Sequence, residues 1–265
     1  MSGRPIRLGR FLGEGKNVAV VALDHGAEFG PIEGIMDLRG ALDNLGEADG
    51  ILVNPGVIGS CSDFFARPAA PAMIVRLTWT TSYCFPWNYK EAHTCTLLSA
   101  GEALEAGADL VMACCILQSG DESLDRDNVR IFADAAAEAR EAGIPMIGEL
   151  YPLRAEELPR DELHKQIYRG ARILAELGAD AIKTFYTGPK FNEIVESAGV
   201  PLLVLGASKK AKETDALRMA HDAVEAGARG VVFGRNVFQA EDPAAFLSAL
   251  AKVVHREATP EEASA

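Results

Sequence analysis

Long apolar runs are missing from this sequence. No stretch reaches the roughly 18 uninterrupted apolar residues of a membrane-spanning helix, so no membrane partner is expected. Basic charge is scarce too. Lys and Arg number 26 against 38 Asp and Glu, a formal net charge of −12. Such a chain repels nucleic acid and anionic lipid, and neither is expected as a partner. Any anion site must therefore be local, built from a few cations and backbone N–H groups. Cysteine is sparse and odd in number (Cys61, Cys84, Cys95, Cys114, Cys115), with no Cys-x-x-Cys pair. The opening Met-Ser-Gly-Arg-Pro is polar and basic, with no apolar signal segment behind it. A cytoplasmic location with free thiols is expected. Cys114 and Cys115 are expected as small core residues. The five histidines (His25, His93, His164, His221, His255) are scattered, and no spacing with carboxylates resembles a zinc or Mg²⁺ cage. No metal is expected.

What is present is the balance of a soluble globular protein, 48% apolar and 24% charged over 265 residues. At this length a large core needs no disulfide or metal staple. One signal recurs: a helix closes on a small residue and glycine, and an apolar run follows shortly. It recurs at Gly107, Gly143, Gly178, Gly199 and Gly227, where a helix needs a left-handed closing residue. The runs are apolar throughout, as for strands buried on both faces.

Eight strands are expected at residues 18–24, 50–54, 73–78, 110–116, 146–151, 181–186, 202–206 and 230–234. Amphipathic helical stretches lie between them, clearest at 128–142, 161–177, 213–226 and 243–255. Eight βα units predict one α/β domain, a (β/α)8 TIM barrel over residues 1–258. An open doubly wound sheet shares the local pattern, but eight strands without a composition break favour the barrel. The small, acidic tail 259–265 is expected to be frayed. An aromatic-rich loop, 79–96, follows the third strand at the barrel mouth.

Barrel chemistry sits where strands end. Lys183 lies inside an apolar strand run. A lysine held there is either a nucleophile for a carbonyl carbon or a rim salt-bridge partner, and its own surroundings leave both open. Asp24 and Tyr151 close other strands at the same mouth, as proton carriers or as a turn cap and a packed aromatic. The loops Gly206-Ala207-Ser208-Lys209 and Gly234-Arg235-Asn236 pair glycine with a cation on adjacent strands, as barrels do to hold phosphate. His25, Trp87, Tyr89 and Glu149 are candidates for shaping the substrate.

Val-Ala-Leu-Asp24-His-Gly, Tyr151-Pro, Ala-Asp-Ala-Ile-Lys183-Thr-Phe-Tyr-Thr-Gly and Gly234-Arg-Asn-Val-Phe-Gln together resemble the archaeal-type class I fructose-bisphosphate aldolase family. That family also contains aminodideoxyheptulosonate synthases and the autoinducer-2 phosphate thiolase. The resemblance runs through nearly the whole chain in order. It implies an aldehyde-lyase with Lys183 as Schiff-base residue, Tyr151 and Asp24 as acid and base, and phosphate on the Gly206 and Gly234 loops with Arg235. The implied substrate is a phosphorylated ketose with dihydroxyacetone phosphate as ketone half, with no cofactor. A homo-oligomer, commonly a decamer, is implied as well. Transfer to an acceptor, as in transaldolases and thiolases, is the alternative, as is a sulfonated, deoxygenated or longer sugar phosphate. Two departures bear on the substrate. The family loop Gly-Gly-Pro-Lys reads Gly206-Ala-Ser-Lys209 here, and loop 79–96 matches no fructose-bisphosphate pattern.

Overall fold

The structure is a computed structural model that describes residues 3–264. Eight parallel strands close into a barrel: β1 (Val18–Ala22), β2 (Gly50–Val53), β3 (Ala72–Arg76), β6 (Leu110–Cys115), β7 (Met146–Leu150), β8 (Ala181–Thr184), β9 (Leu202–Leu205) and β10 (Gly230–Phe233). They neighbour one another in that order, and β10 closes on β1. The helices are α1 (Arg4–Leu12), α2 (Gly26–Phe29), α3 (Leu38–Leu42), α4 (Ile58–Phe65), α5 (Ala100–Glu105), α6 (Glu122–Ala142), α7 (Arg160–Glu176), α8 (Phe191–Ala198), α9 (Glu213–Glu225), α10 (Arg235–Phe238), α11 (Pro243–Val254) and α12 (Pro260–Ala263). This is the (β/α)8 barrel expected from the repeating glycine-then-strand signal.

Side chains alternate across a strand, so each strand feeds two cores. One face packs outward beneath the helices, as Val21, Ile51, Val75, Val111, Ile182 and Val204 do. The other fills the barrel: Val18, Val20, Ala22, Leu52, Ile74, Met112, Ile147, Ala181, Leu203 and Val232. Phe11 and Leu12 of α1 join this inner cluster. Burial of each such side chain contributes about 1.5–3 kcal/mol. The same alternation places the chemistry. Two residues beyond Ala22, Ile74, Ile147 and Ala181 stand Asp24, Arg76, Glu149 and Lys183, all buried. Charged groups thus sit directly on a packed apolar floor.

The recurrent Ala-Asp before a strand has its own job. The carboxylates of Asp49, Asp109 and Asp180 accept from the backbone N–H of Ala19, Met73 and Met146 at 2.8–2.9 Å. Each returns its own N–H to the carbonyl of that same residue. The strand starts are thereby stapled in pairs. Helix ends follow local chemistry. Asp121 caps α6 through the N–H groups of Ser123 and Leu124, and Gly143 closes that helix at φ 71°.

Two segments depart from expectation. The third strand leaves the barrel after Arg76, and its continuation β4 (Thr78–Thr80) pairs antiparallel with β5 (Thr94–Thr96). Loop 79–96 is therefore a hairpin with two 3-10 turns between its strands. The tail is not frayed at residues 260–263, which form α12. Thr259 and Glu262 make a capping box there, and Pro260 is buried.

Candidate active site

The charged layer opens into a cavity at the C-terminal end of the strands, the end at which barrel active sites are built. Lys183 lies at its base, 6% exposed. Register explains its partner: Lys183 on β8 stands beside Glu149 on β7, and Nζ contacts Glu149 Oε1 as an ion pair. Arg76 reaches in from β3. Its Nε and Nη2 bind Asp24 Oδ2 at 2.6 and 2.5 Å, and Nη2 lies 3.0 Å from Glu149 Oε2. That last contact is short enough for an ion pair, but its angles do not make a hydrogen bond. Glu28 Oε1, on α2, is 3.8 Å from the same nitrogen.

Burial alone would raise the pKa of Asp24. The charges of Arg76, Lys183 and His25 outweigh it and hold the carboxyl down at about 2. Glu149 is lowered in the same way by Arg76 and Lys183, against its burial. Glu28 goes the other way. Burial, with Asp24 and Glu149 nearby, holds it well above the usual carboxylate range despite Arg76. Burial is also the main reason that His25 is lowered to about 4, against the pull of Asp24. At neutral pH, therefore, Asp24 is a carboxylate and His25 is neutral, while Glu149 is held toward its carboxylate form beside the lysine and Glu28 toward its protonated form. Tyr151 is raised by burial and stays a phenol. Its ring is wedged edge-on between Tyr83 and Phe185, centroids 4.8 Å away on each side.

The wall beside β8 is backbone. Gly206 and Gly234 end β9 and β10, and both line the cavity. A Cβ on Gly234 would come within 2.2 Å of His25 Cε1, so only glycine fits against that ring. Asn236 holds the two loops together: its amide donates to the Gly206 carbonyl at 3.0 Å and accepts from Lys210 N–H at 2.8 Å. Ala207 takes φ 54°, the left-handed conformation that glycine adopts most readily. Arg235 lies over the Phe29 ring, 5.5 Å from its centroid, and its buried Nε has no hydrogen-bond partner among the described residues.

Of the expected site residues, Lys183, Tyr151, Asp24, His25, Glu149, Gly206, Ala207, Gly234 and Arg235 line this one cavity. Four others do not. Lys209 turns its ammonium to the carbonyl of Gln239. Ser208 donates to Glu156 at 2.5 Å and lines an adjoining outer cavity with Arg235 and Arg154. Trp87 and Tyr89 pack on each other, 59% and 53% exposed, outside the cavity. From their loop it is Tyr83 and Phe85 that enter. Sequence reasoning missed Arg76, Glu28 and Tyr83. Arg76 carried the signal that picked out Lys183, a charge inside an apolar strand.

A sequence model of the DeoC/LacD aldolases matches residues 18–240. The chain belongs to the DeoC/LacD aldolase family. It is a class I, Schiff-base aldolase. Among curated relatives, this aldolase is 32% identical to an uncharacterized aldolase of Saccharolobus solfataricus, over 99% of this chain and 98% of the other. It is 30% identical to the 2-amino-3,7-dideoxy-D-threo-hept-6-ulosonate synthase of Halobacterium salinarum, over 100% and 96%. Among solved structures, an archaeal fructose 1,6-bisphosphate aldolase superposes with a TM-score of 0.82 at 28% identity, covering 95% of this chain and 98% of that one. A structure of an archaeal fructose-1,6-bisphosphate aldolase with its catalytic lysine bound covalently to the carbinolamine intermediate of the substrate gives 0.81 at 27% identity, covering 94% and 98%.

Proposed function

We propose that this aldolase cleaves and forms a phosphorylated ketose through Lys183, with dihydroxyacetone phosphate as its ketone half. The observation that carries the reading is the buried Lys183–Glu149 contact at the base of a cavity whose neighbouring wall, at the ends of β9 and β10, is Gly206, Gly234 and Arg235. A carboxylate against the amine supplies an immediate acceptor for its proton. Glycine backbone and an unsatisfied guanidinium N–H suit a phosphate. The solved relatives that act on fructose 1,6-bisphosphate support this choice of substrate.

The chemistry then runs on named groups. Lys183 passes a proton to Glu149, its free amine attacks the ketone carbon, and a proton moves from the nitrogen to the alkoxide oxygen to give the carbinolamine. Tyr151, a phenol at rest, protonates the resulting hydroxyl, which leaves as water, and the iminium forms. The iminium draws the electrons of the adjacent C–C bond. The tyrosinate takes back the proton of the hydroxyl on the departing carbon, so an aldehyde leaves and an enamine remains. Protonation of the enamine and hydrolysis release the ketone. Asp24, tied to Arg76 Nε, is not the carboxylate in contact with Lys183. It anchors the arginine while Glu149 and Tyr151 carry protons.

The test is turnover of fructose 1,6-bisphosphate to dihydroxyacetone phosphate and glyceraldehyde 3-phosphate. Wild-type protein is expected to turn over and Lys183→Met to lose activity entirely. Unchanged turnover in Lys183→Met would refute the reading. The likeness to a heptulosonate synthase supports a second reading, transfer of a ketone unit to an acceptor. Under that reading product accumulates only when an acceptor aldehyde is supplied.

A further inference from the structure

Arg76 is one of the largest side chains in the molecule to be fully buried, and the proton transfers above make no use of it. Its hydrogen-bonding capacity is only part spent. Nε and Nη2 are committed to Asp24 and Glu149, whereas Nη1 is buried and meets no acceptor among the described residues. A buried guanidinium N–H without an acceptor is unfavourable, and this one belongs to a side chain that lines the cavity holding Lys183. Tyr83 does not satisfy it. The Tyr83 ring lies against the guanidinium, centroid 5.6 Å from Cζ, and its hydroxyl donates to Cys114 Sγ at 3.2 Å.

Topology says which part of a ligand Arg76 meets. Around the closed barrel, β3 is four strands from β9 in either direction, so Arg76 and Gly206 face each other across the mouth. Lys183 on β8 stands between them along one arc. A ketone phosphate with its phosphate at the Gly206 and Gly234 loops and its carbonyl at Lys183 directs its other substituent toward Arg76.

Charge says what that substituent is. Arg76 already faces two carboxylates, and a third carboxyl, Glu28, has its Oε1 3.8 Å from Nη2. A ligand carboxylate there would add a further negative charge beside Asp24 and Glu149 and be disfavoured. A hydroxyl brings an acceptor without a charge.

We propose that Arg76 is a specificity residue, whose Nη1 donates to an uncharged oxygen on the side of the reactive carbonyl away from the phosphate. In dihydroxyacetone phosphate that oxygen is the free hydroxyl, borne by the carbon that becomes the enamine nucleophile. Holding it fixes which face of that carbon is presented to the aldehyde. The inference rests on Lys183 forming the imine with a ketone phosphate.

The experiment compares borohydride trapping of the wild-type protein with dihydroxyacetone phosphate, with hydroxyacetone phosphate lacking the free hydroxyl, and with pyruvate. The rate of adduct formation is read by mass at subsaturating ketone. Wild type is expected to favour dihydroxyacetone phosphate over the deoxy ketone by about 10- to 100-fold, the effect of one hydrogen bond from a charged donor. Pyruvate is expected to give no adduct. In Arg76→Lys, which keeps the charge but loses the fork, the preference between the two phosphates is expected to collapse toward unity, whatever the absolute rate. Equal trapping of the two phosphates by wild type, an undiminished preference in Arg76→Lys, or brisk trapping of pyruvate would each overturn the assignment and leave the Lys183 reading standing. No adduct from any ketone would overturn both. The wild-type comparison decides even if the variant does not fold.

Discussion

Lys183 and Glu149 stand side by side on neighbouring parallel strands, and their side chains meet as a buried ion pair above the apolar floor of the barrel. The register of β7 against β8 makes this contact unavoidable, because both residues fall on the inward face. If Glu149 is the group that takes the lysine proton, Glu149→Gln keeps the shape and removes the acceptor. Its kcat is expected to fall by about 10²- to 10⁴-fold, the usual contribution of a positioned acid or base. KM is expected to change little. Steady-state kinetics on fructose 1,6-bisphosphate checks this, and an unchanged kcat would assign the proton elsewhere.

Glu28 shapes the pH dependence of stability in an unusual direction. Its folded carboxyl is raised by burial and by the carboxylates around it. Between its unfolded value and that higher folded value, the native state binds a proton that the unfolded chain has lost, so stability falls as pH rises. Glu28→Gln removes this slope. Urea unfolding at pH 5 and pH 8 is expected to show the variant gaining on wild type at the higher pH. An equal difference at both pH values would mean that Glu28 is ionised in the folded protein.

His25 acts on the acid side. Its folded value is about 4 against 6.5 for an unperturbed histidine, mainly through burial. From pH 6.5 down to 4 the unfolded chain takes up a proton that the folded protein refuses, so stability falls as pH falls across that window. The shift corresponds to about 3 kcal/mol. His25→Gln is expected to flatten the unfolding free energy between pH 7 and 4 by an amount of this order. Parallel curves for the two proteins would contradict the assignment.

Gly234 and His25 are fitted to each other. A Cβ at position 234 would overlap the imidazole, so Gly234→Ala is expected to destabilise the fold by about 1–3 kcal/mol, the usual effect of overpacking. It should also raise KM for a phosphorylated ketone. His25→Ala opens room for the methyl group, so the double variant should be less destabilised than the sum of the singles. Strict additivity in a thermal or urea double-mutant cycle would show that the two do not share the strain.

The barrel is legible in the chain because its evidence is local and repeated. Each small-residue-plus-glycine stop is followed by an apolar run, and the fold adds only closure. Lys183 and Glu149 are legible because strand ends converge. Arg76 shows the same anomaly in Met73-Ile-Val-Arg-Leu-Thr, but without the register nothing says that it points inward rather than out to the rim. Glu28 is not legible, since a single turn of helix carries it back over the cavity. In loop 79–96 the aromatics are alike in sequence. Only the β4–β5 pairing decides that Tyr83 and Phe85 turn in while Trp87 and Tyr89 turn out. Lys209 matched the family's pattern, yet its ammonium is taken by the Gln239 carbonyl. The reach of a long side chain is set by whichever acceptor lies nearest.

The central claim is that Lys183 is the residue that bonds to substrate. Wild-type protein incubated with dihydroxyacetone phosphate and borohydride, then digested and mapped by mass spectrometry, tests it directly. The account predicts a single reduced adduct on the peptide containing Lys183, lost in Lys183→Met. An adduct on Lys209, Lys190 or another lysine, with Lys183 unmodified, would contradict it.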